Sequence, residues 1–137
     1  MTLKGYLFDT DILIAYLRGY QQAVDLLKAL AAQGFDFFIS PVTIIEIQAG
    51  VRDTEREKTD ELLDIFGLCA VDRPIAHLAG SFLRKYRKKG VTFGLADVII
   101  AATAATHHLT LVTYNTSHYP MSELQILSPS SSQKFLR

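Results

Sequence analysis

The sequence predicts an α/β protein: one domain built on a parallel β-sheet of four to five strands, flanked by helices on both faces. Three observations carry this. Short apolar, β-favouring runs alternate along the chain with longer segments whose apolar residues recur at helical spacing. That alternation builds a parallel sheet, because each crossover helix packs back onto it. The first run, Tyr6-Leu7-Phe8, is apolar without a break, the pattern of a strand buried on both faces. Finally, no internal repeat or linker divides the 137 residues, a length that buries a substantial core as one unit.

The elements follow in order. The strand Tyr6–Phe8 ends in Asp9-Thr10-Asp11, after which Ile12, Leu13, Ile14, Tyr16 and Leu17 predict a helix stopped at Gly19. A lone Asp at such a junction is ordinarily an N-cap, and Thr10 can also cap; a cap explains one acid, not two. Gln21 to Gln33 carries Val24, Leu26, Leu27, Leu30 and Ala31 on one face and ends at Gly34. Phe35–Ile39 is the second strand. Ser40-Pro41 then supplies a cap and a first-turn proline for a helix to about Val51. The mixed charges from Arg52 to Glu61 read as the solvated opening of a helix that buries Leu62, Leu63, Ile65 and Phe66. Leu68–Val71 is a third strand, and Pro74 opens a helix through Tyr86. Val91–Phe93 is loop, Leu95–Ala105 is helix and Thr110–Thr113 is the fourth strand. A turn over Tyr114–His118 leads to a fifth, Leu124–Leu127. With Pro129 and three consecutive serines, the chain from Ser128 reads as a disordered tail, so the domain spans residues 1–128 and the tail 129–137.

Composition narrows the function classes. Fourteen basic and fourteen acidic residues balance, so no global field steers the chain toward nucleic acid or membrane. The apolar run Val98–Ala105 is too short to cross a bilayer, and no signal-peptide pattern opens the chain. The single Cys69, in an apolar context, cannot form an internal disulfide, and the expected location is the cytoplasm. One local patch stands out: Arg84, Lys85, Arg87, Lys88 and Lys89, just before Gly90. Cations complement the negative end of a helix dipole, but clustered Lys and Arg are also the footprint of a phosphate-contacting surface.

The informative acids are those with no other charge nearby. Between Gly5 and Leu17 only Asp9 and Asp11 are charged; between Ser40 and Val51 only Glu46; between Val91 and Thr106 only Asp97. These segments are among the most apolar of the chain, where an ionised carboxylate is costly unless paired or bound to metal. Each acid alone has an ordinary explanation. Asp97 suits the first turn of a helix. Glu46 could face water opposite Ile44, Ile45, Gln48 and Val51, although Val42, Ile47 and Ala49 leave it a narrow stripe. Jointly the acids lack any Lys or Arg among them, and the natural neutraliser is a hard cation, Mg²⁺ or Mn²⁺, which prefers carboxylate and water oxygens. No His or Cys spacing suggests zinc. A carboxylate-held Mg²⁺ activates water and stabilises charge on a phosphoryl oxygen.

With Asp9, Glu46 and Asp97 in place the chain resembles the PIN-domain ribonucleases, and among them the VapC-type toxins of toxin–antitoxin pairs. The resemblance spans Tyr6 to about Tyr119 and rests on four stretches in order: Phe8-Asp9-Thr10-Asp11-Ile12-Leu13-Ile14, Thr43-Ile44-Ile45-Glu46-Ile47-Gln48-Ala49-Gly50, Gly94-Leu95-Ala96-Asp97-Val98-Ile99-Ile100-Ala101-Ala102 and Leu111-Val112-Thr113-Tyr114-Asn115. It implies a PIN-like fold in which Asp9, Glu46, Asp97 and Asn115 converge at the carboxyl ends of the strands. Asp9 and Asp97 would hold Mg²⁺ (or Mn²⁺), with Glu46 orienting ligands or the attacking water, and Asp11, Thr113 and Asn115 supporting. The implied activity is endonucleolytic cleavage of tRNA or ribosomal RNA leaving a 5′-phosphate. The implied partners are an antitoxin and a second copy of the chain, with no membrane. The basic residues from Arg84 to Lys89 then become candidate RNA contacts. The chain departs from the pattern where many relatives carry a fourth acid, having Asn115 and His118 there, which predicts weaker binding of a second metal.

Two other readings compete. Asp9-Thr10-Asp11 also fits the start of a haloacid-dehalogenase-type hydrolase, with Asp9 as nucleophile and Asp11 as general acid, but Leu13 and the lack of an Asp-Asp pair depart from that pattern. A PIN fold that binds RNA or protein without cleaving is supported by the missing fourth acid and opposed by the retention of Asp9, Glu46 and Asp97.

Overall fold

The computed structural model describes residues 5–129. Five strands form one sheet: β1 (Gly5–Phe8), β2 (Asp36–Ile39), β3 (Gly67–Leu68), β4 (Thr110–Val112) and β5 (Gln125–Leu127). Their order is β3-β2-β1-β4-β5 and every pairing is parallel, as the alternation of elements predicts. The first strand of the chain is therefore the centre of the sheet. Six helices connect the strands: α1 (Thr10–Leu17), α2 (Gln21–Ala32), α3 (Pro41–Gly50), α4 (Arg56–Ile65), α5 (Arg73–Arg87) and α6 (Leu95–His107).

Successive strand residues point to opposite faces, so each strand feeds two cores. Leu7 and Leu111 join Ile75, Phe82 and Val98 on the side of α5 and α6. Phe8 and Val112 join Ile12, Leu26, Leu63 and Phe66 on the side of α1, α2 and α4. Helix starts follow local chemistry: Ser40 accepts from the Val42 N–H ahead of Pro41, and Asp72 accepts from the Ile75 N–H ahead of Pro74. At Gly5 a side chain has no room, since a Cβ there would lie 2.1 Å from the Asp36 carbonyl oxygen of the neighbouring strand.

Three expectations change. The third strand is Gly67–Leu68, not Leu68–Val71: at this sheet edge only β2 is available to pair, and the ladder ends at Ile39–Leu68. Ile65 is exposed, because the turn that follows brings Phe66 into the core instead, stacked on Phe37 and edge-on to Phe8. On α3 the inward residues are Thr43 and Ile47, and Ile45 is exposed along with Glu46. Ser128 and Pro129 are buried at the end of β5; the rest of the expected tail, residues 130–137, lies outside the described residues. Cys69 is a buried free thiol, and burial pushes its pKa up. Among the described residues no helix is long and apolar enough to cross a membrane.

Candidate active site

The pairing register builds the centre of the site. Phe8 lies opposite Val112, so the next residues, Asp9 and Thr113, emerge side by side at the carboxyl ends of β1 and β4. In open α/β sheets that edge is where ligands bind. The Asp9 N–H donates to the Val112 carbonyl at 2.9 Å, continuing the ladder by one bond. The Asp9 side chain accepts from the Thr10 N–H at 2.8 Å as the N-cap of α1. Its other oxygen accepts from the Thr113 hydroxyl at 2.8 Å and the Tyr119 hydroxyl at 2.9 Å. Asp9 is thus both a cap and the most buried acid of the cluster, at 7% exposure. Burial pushes its carboxyl up, the Thr113, Tyr119 and Thr10 donors pull it down, and the charge of Asp97 raises it again.

Asp97 arrives from the other half of the sheet, in the first turn of α6. Its Oδ1 lies 3.3 Å from the same Tyr119 hydroxyl, and its Oδ2 lies 3.4 Å from Nδ1 of His118. A hydroxyl has one proton, and the shorter contact assigns it to Asp9. Tyr119 therefore donates to Asp9, and its oxygen stands between the two carboxylates. Surrounded by Asp9, Asp97 and Asp11, and desolvated first of all by its own burial, its pKa is strongly raised and it stays a donor.

Asp11 faces the loop after β4. Its Oδ2 accepts from the N–H groups of Tyr114 at 3.0 Å and Asn115 at 3.2 Å. Its Oδ1 is buried, and among the described residues no hydrogen bond reaches it. Burial, and then the charge of Asp9, push the Asp11 carboxyl up to about 6, against the pull of the Tyr114 N–H, the Thr113 hydroxyl and the Asn115 N–H. Glu46 is held from the opposite side: the Thr10 hydroxyl donates to its Oε1 at 2.6 Å, and Thr43 Oγ1 is 3.3 Å from the same hydroxyl. Thr10 thereby links the ends of the β1 and β2 segments. A cleft of about 380 Å³ opens beside Glu46, lined by Leu17, Arg18, Ile47, Val51 and Arg52 among others.

Asp9, Asp11, Asp97 and Thr113 thus gather around the Thr113 and Tyr119 hydroxyls. Among the described residues Glu46 is connected to them only through Thr10, whose hydroxyl donates to Glu46 and whose N–H donates to Asp9. Asn115 differs from its expected part: its backbone N–H serves Asp11 and Thr113, while the residue itself is exposed. Arg84, Lys85, Arg87, Lys88 and Lys89 are exposed at the end of α5, and among the described residues no ion pair joins them to these acids. Tyr119 and His118 as partners of the acids, and Thr10 as partner of Glu46, were not foreseen. Tyr119 lies in a short connection with no periodicity to read, and Thr10 carried only the signal of a cap. Among the described residues no group of three or more His, Cys, Asp or Glu side chains is arranged to hold a metal ion. Asp9 and Asp97 form a pair on either side of the Tyr119 oxygen, and such a pair suits a cation that keeps much of its own water, as Mg²⁺ does.

Known proteins share this sequence pattern and fold. The family profile described as PIN domain matches residues 6–124. Ribonuclease VapC10 of Mycobacterium tuberculosis is 40% identical over 117 residues, covering 85% of this chain and 87% of that protein. Among solved structures, a toxin-antitoxin complex from Klebsiella pneumoniae has a chain that superposes with TM-score 0.73 at 29% identity, covering 90% of this chain and 97% of that one. A chain of VapBC2 from Rickettsia felis, bound to a promoter DNA fragment, superposes with TM-score 0.81 at 22% identity, covering 90% and 98%, a likeness of fold.

Proposed function

The chain belongs to the PIN-domain family, among the VapC ribonucleases, and from that premise we propose that it is a Mg²⁺- or Mn²⁺-dependent endoribonuclease, the toxin of a toxin–antitoxin pair. The observation that carries the reading is the convergence of Asp9 and Asp97 on the single Tyr119 hydroxyl, at 2.9 and 3.3 Å. Two carboxylates held together with no Lys or Arg between them suit a divalent cation, usually bound through one or two carboxylates, water and substrate phosphate. Asp9 and Asp97 are the residues that would hold it. Bound there, the cation supplies charge stabilisation at a phosphoryl oxygen and lowers the pKa of water.

The remaining residues orient this pair. Thr113 and Tyr119 fix the outward oxygen of Asp9. Thr10 aims Glu46, which positions the attacking water or its ligands. Asp11 shapes the loop at Tyr114 and Asn115, and its buried, unpartnered Oδ1 adds negative potential that favours a cation. His118 beside Asp97 can orient that carboxylate or meet a substrate phosphate. The substrate is tRNA or ribosomal RNA, cut to leave a 5′-phosphate. A cognate antitoxin is one protein partner, in keeping with the toxin-antitoxin complex from Klebsiella pneumoniae, and a second copy of the chain is the other.

The test is cleavage of tRNA and rRNA fragments by the purified protein in Mg²⁺ or Mn²⁺, with EDTA and an Asp9→Asn variant alongside. Cuts that need metal and vanish with Asp9→Asn support the proposal. RNA binding without cuts in either metal favours a binding module instead, the reading that draws on Asn115 and on the lack of a three-residue cage.

A further inference from the structure

We propose that the end of α5 and the turn after it, carrying Arg84, Lys85, Arg87, Lys88 and Lys89, form the surface that grips the phosphate backbone of the RNA, outside the carboxylate site. This rests on the ribonuclease reading and adds to it the place where the strand is held.

All five cations are exposed, and among the described residues none has an ion-pair partner. A helix C-terminus gains from one or two cations, an effect confined to the last turn. Here five like charges fall within the six positions 84–89, across the helix end and the turn after it, and charges so crowded repel one another. Among the described residues no acid is paired with them, whereas a polyanion would offset that repulsion. The distribution of charge is consistent. Although the totals balance, Asp97 is the only acid between Arg73 and Ser122, so the half of the chain that carries the patch is strongly positive.

The patch is also built rather than loose. Lys85 and Lys89 place their ammonium groups 5.5 and 5.2 Å from the centroid of the Tyr86 ring. Tyr86 is itself buried and meets Phe93 edge-on at 5.2 Å, while its carbonyl accepts from the Val91 N–H at 2.9 Å. Those contacts join the patch to the short link, Gly90 to Gly94, that leads into α6 and Asp97. A backbone held at the patch is thus kept in fixed relation to the helix that delivers one of the two central acids.

The experiment uses a 30-nucleotide unstructured RNA in EDTA, where no cleavage occurs, with binding measured across a salt series. Compared are the full chain, a Lys85→Gln/Lys88→Gln/Lys89→Gln variant, and an Arg87→Gln/Lys88→Gln variant that leaves the Tyr86 contacts intact and so guards against misfolding of the first. Each phosphate contact contributes about 0.7 to the slope of log affinity against log salt for a single strand. The triple variant is expected to lower the slope by about 2 and the double variant by about 1.4, with affinity falling at least tenfold. In Mg²⁺ the single-turnover cleavage rate at saturating enzyme stays unchanged, while the enzyme concentration giving half that rate rises. Unchanged slopes in both variants overturn the proposal, even if the protein cleaves RNA normally. Loss of self-association or of antitoxin binding with an unchanged RNA slope overturns it in favour of a protein contact. Slopes that fall as expected in a protein that never cleaves support the patch and refute the ribonuclease reading alone.

Discussion

Asp11 offers the sharpest test of how the site is held in tension. Replacing it with Asn keeps the shape and lets one oxygen still accept from the Tyr114 and Asn115 N–H groups, but removes the charge. In the wild-type protein the carboxyl rises from 3.8 to about 6 through burial and the nearby charge of Asp9. A folded-state pKa above the unfolded value means that the folded protein binds the proton more tightly. Stability then falls as pH rises between those two values, and the full cost stands above about pH 6. At ~1.4 kcal/mol per unit the shift corresponds to at most about 3 kcal/mol. Asp11 is only partly buried, and solvent screening reduces this to roughly 1–2 kcal/mol. Asp11→Asn should therefore be more stable than wild type in urea unfolding near pH 8 with EDTA present, and the gap should nearly close at about pH 4. A variant that is less stable by the same amount at both pH values would refute the reasoning. The hydrogen bonds to the loop would then outweigh the charge.

Asp97→Asn should abolish metal-dependent cleavage, by more than about a hundredfold, while urea unfolding shows an intact fold; normal cleavage removes Asp97 from the mechanism. Tyr119→Phe should weaken Mn²⁺ binding in titration calorimetry by roughly tenfold, because Asp9 then loses a donor that fixes its Oδ2 beside Asp97. The same change should cost about 1–3 kcal/mol of stability, since buried Asp9 loses a donor. Gly5→Ala should remove the fold altogether, at more than ~4 kcal/mol, because its Cβ would stand 2.1 Å from the Asp36 carbonyl oxygen in the central strand pair. Circular dichroism decides the last case, and a folded variant would mean that β1 and β2 can shift apart.

The sequence was most legible where one residue type has one physical use. The unbroken apolar run marked β1, short β-favouring runs marked β2 and β4, and the Ser40-Pro41 pair marked the start of α3. Asp9, Glu46 and Asp97 stood out because charge in an apolar segment needs a reason, and the structure links each of them to a buried hydroxyl. What could not be read were contacts set by tertiary placement. Tyr119 occupies an irregular connection, and only the fold of Thr116–His118 turns its hydroxyl toward residues more than a hundred positions earlier. Ile65 and Phe66 are equivalent on apolarity alone; the helix end, not the pattern, sends one outward and the other into the aromatic cluster. The third strand failed for a related reason, since Cys69 and Val71 are β-favouring but β2 offers no further partner beyond Ile39.

The placement of the first strand at the centre of the sheet has a consequence for the newly made protein. Asp9 leaves the ribosome early, but the hydroxyls that fix it belong to Thr113 and Tyr119, 104 and 110 residues later. At about 5–20 residues per second the acid waits roughly 5–20 s for its partners, and β1 waits as long for β4. A chain interrupted anywhere before Tyr119 lacks the hydroxyl that fixes Asp9 beside Asp97, and so carries an unfinished site. The centre is thereby assembled only in chains that have been made as far as Tyr119.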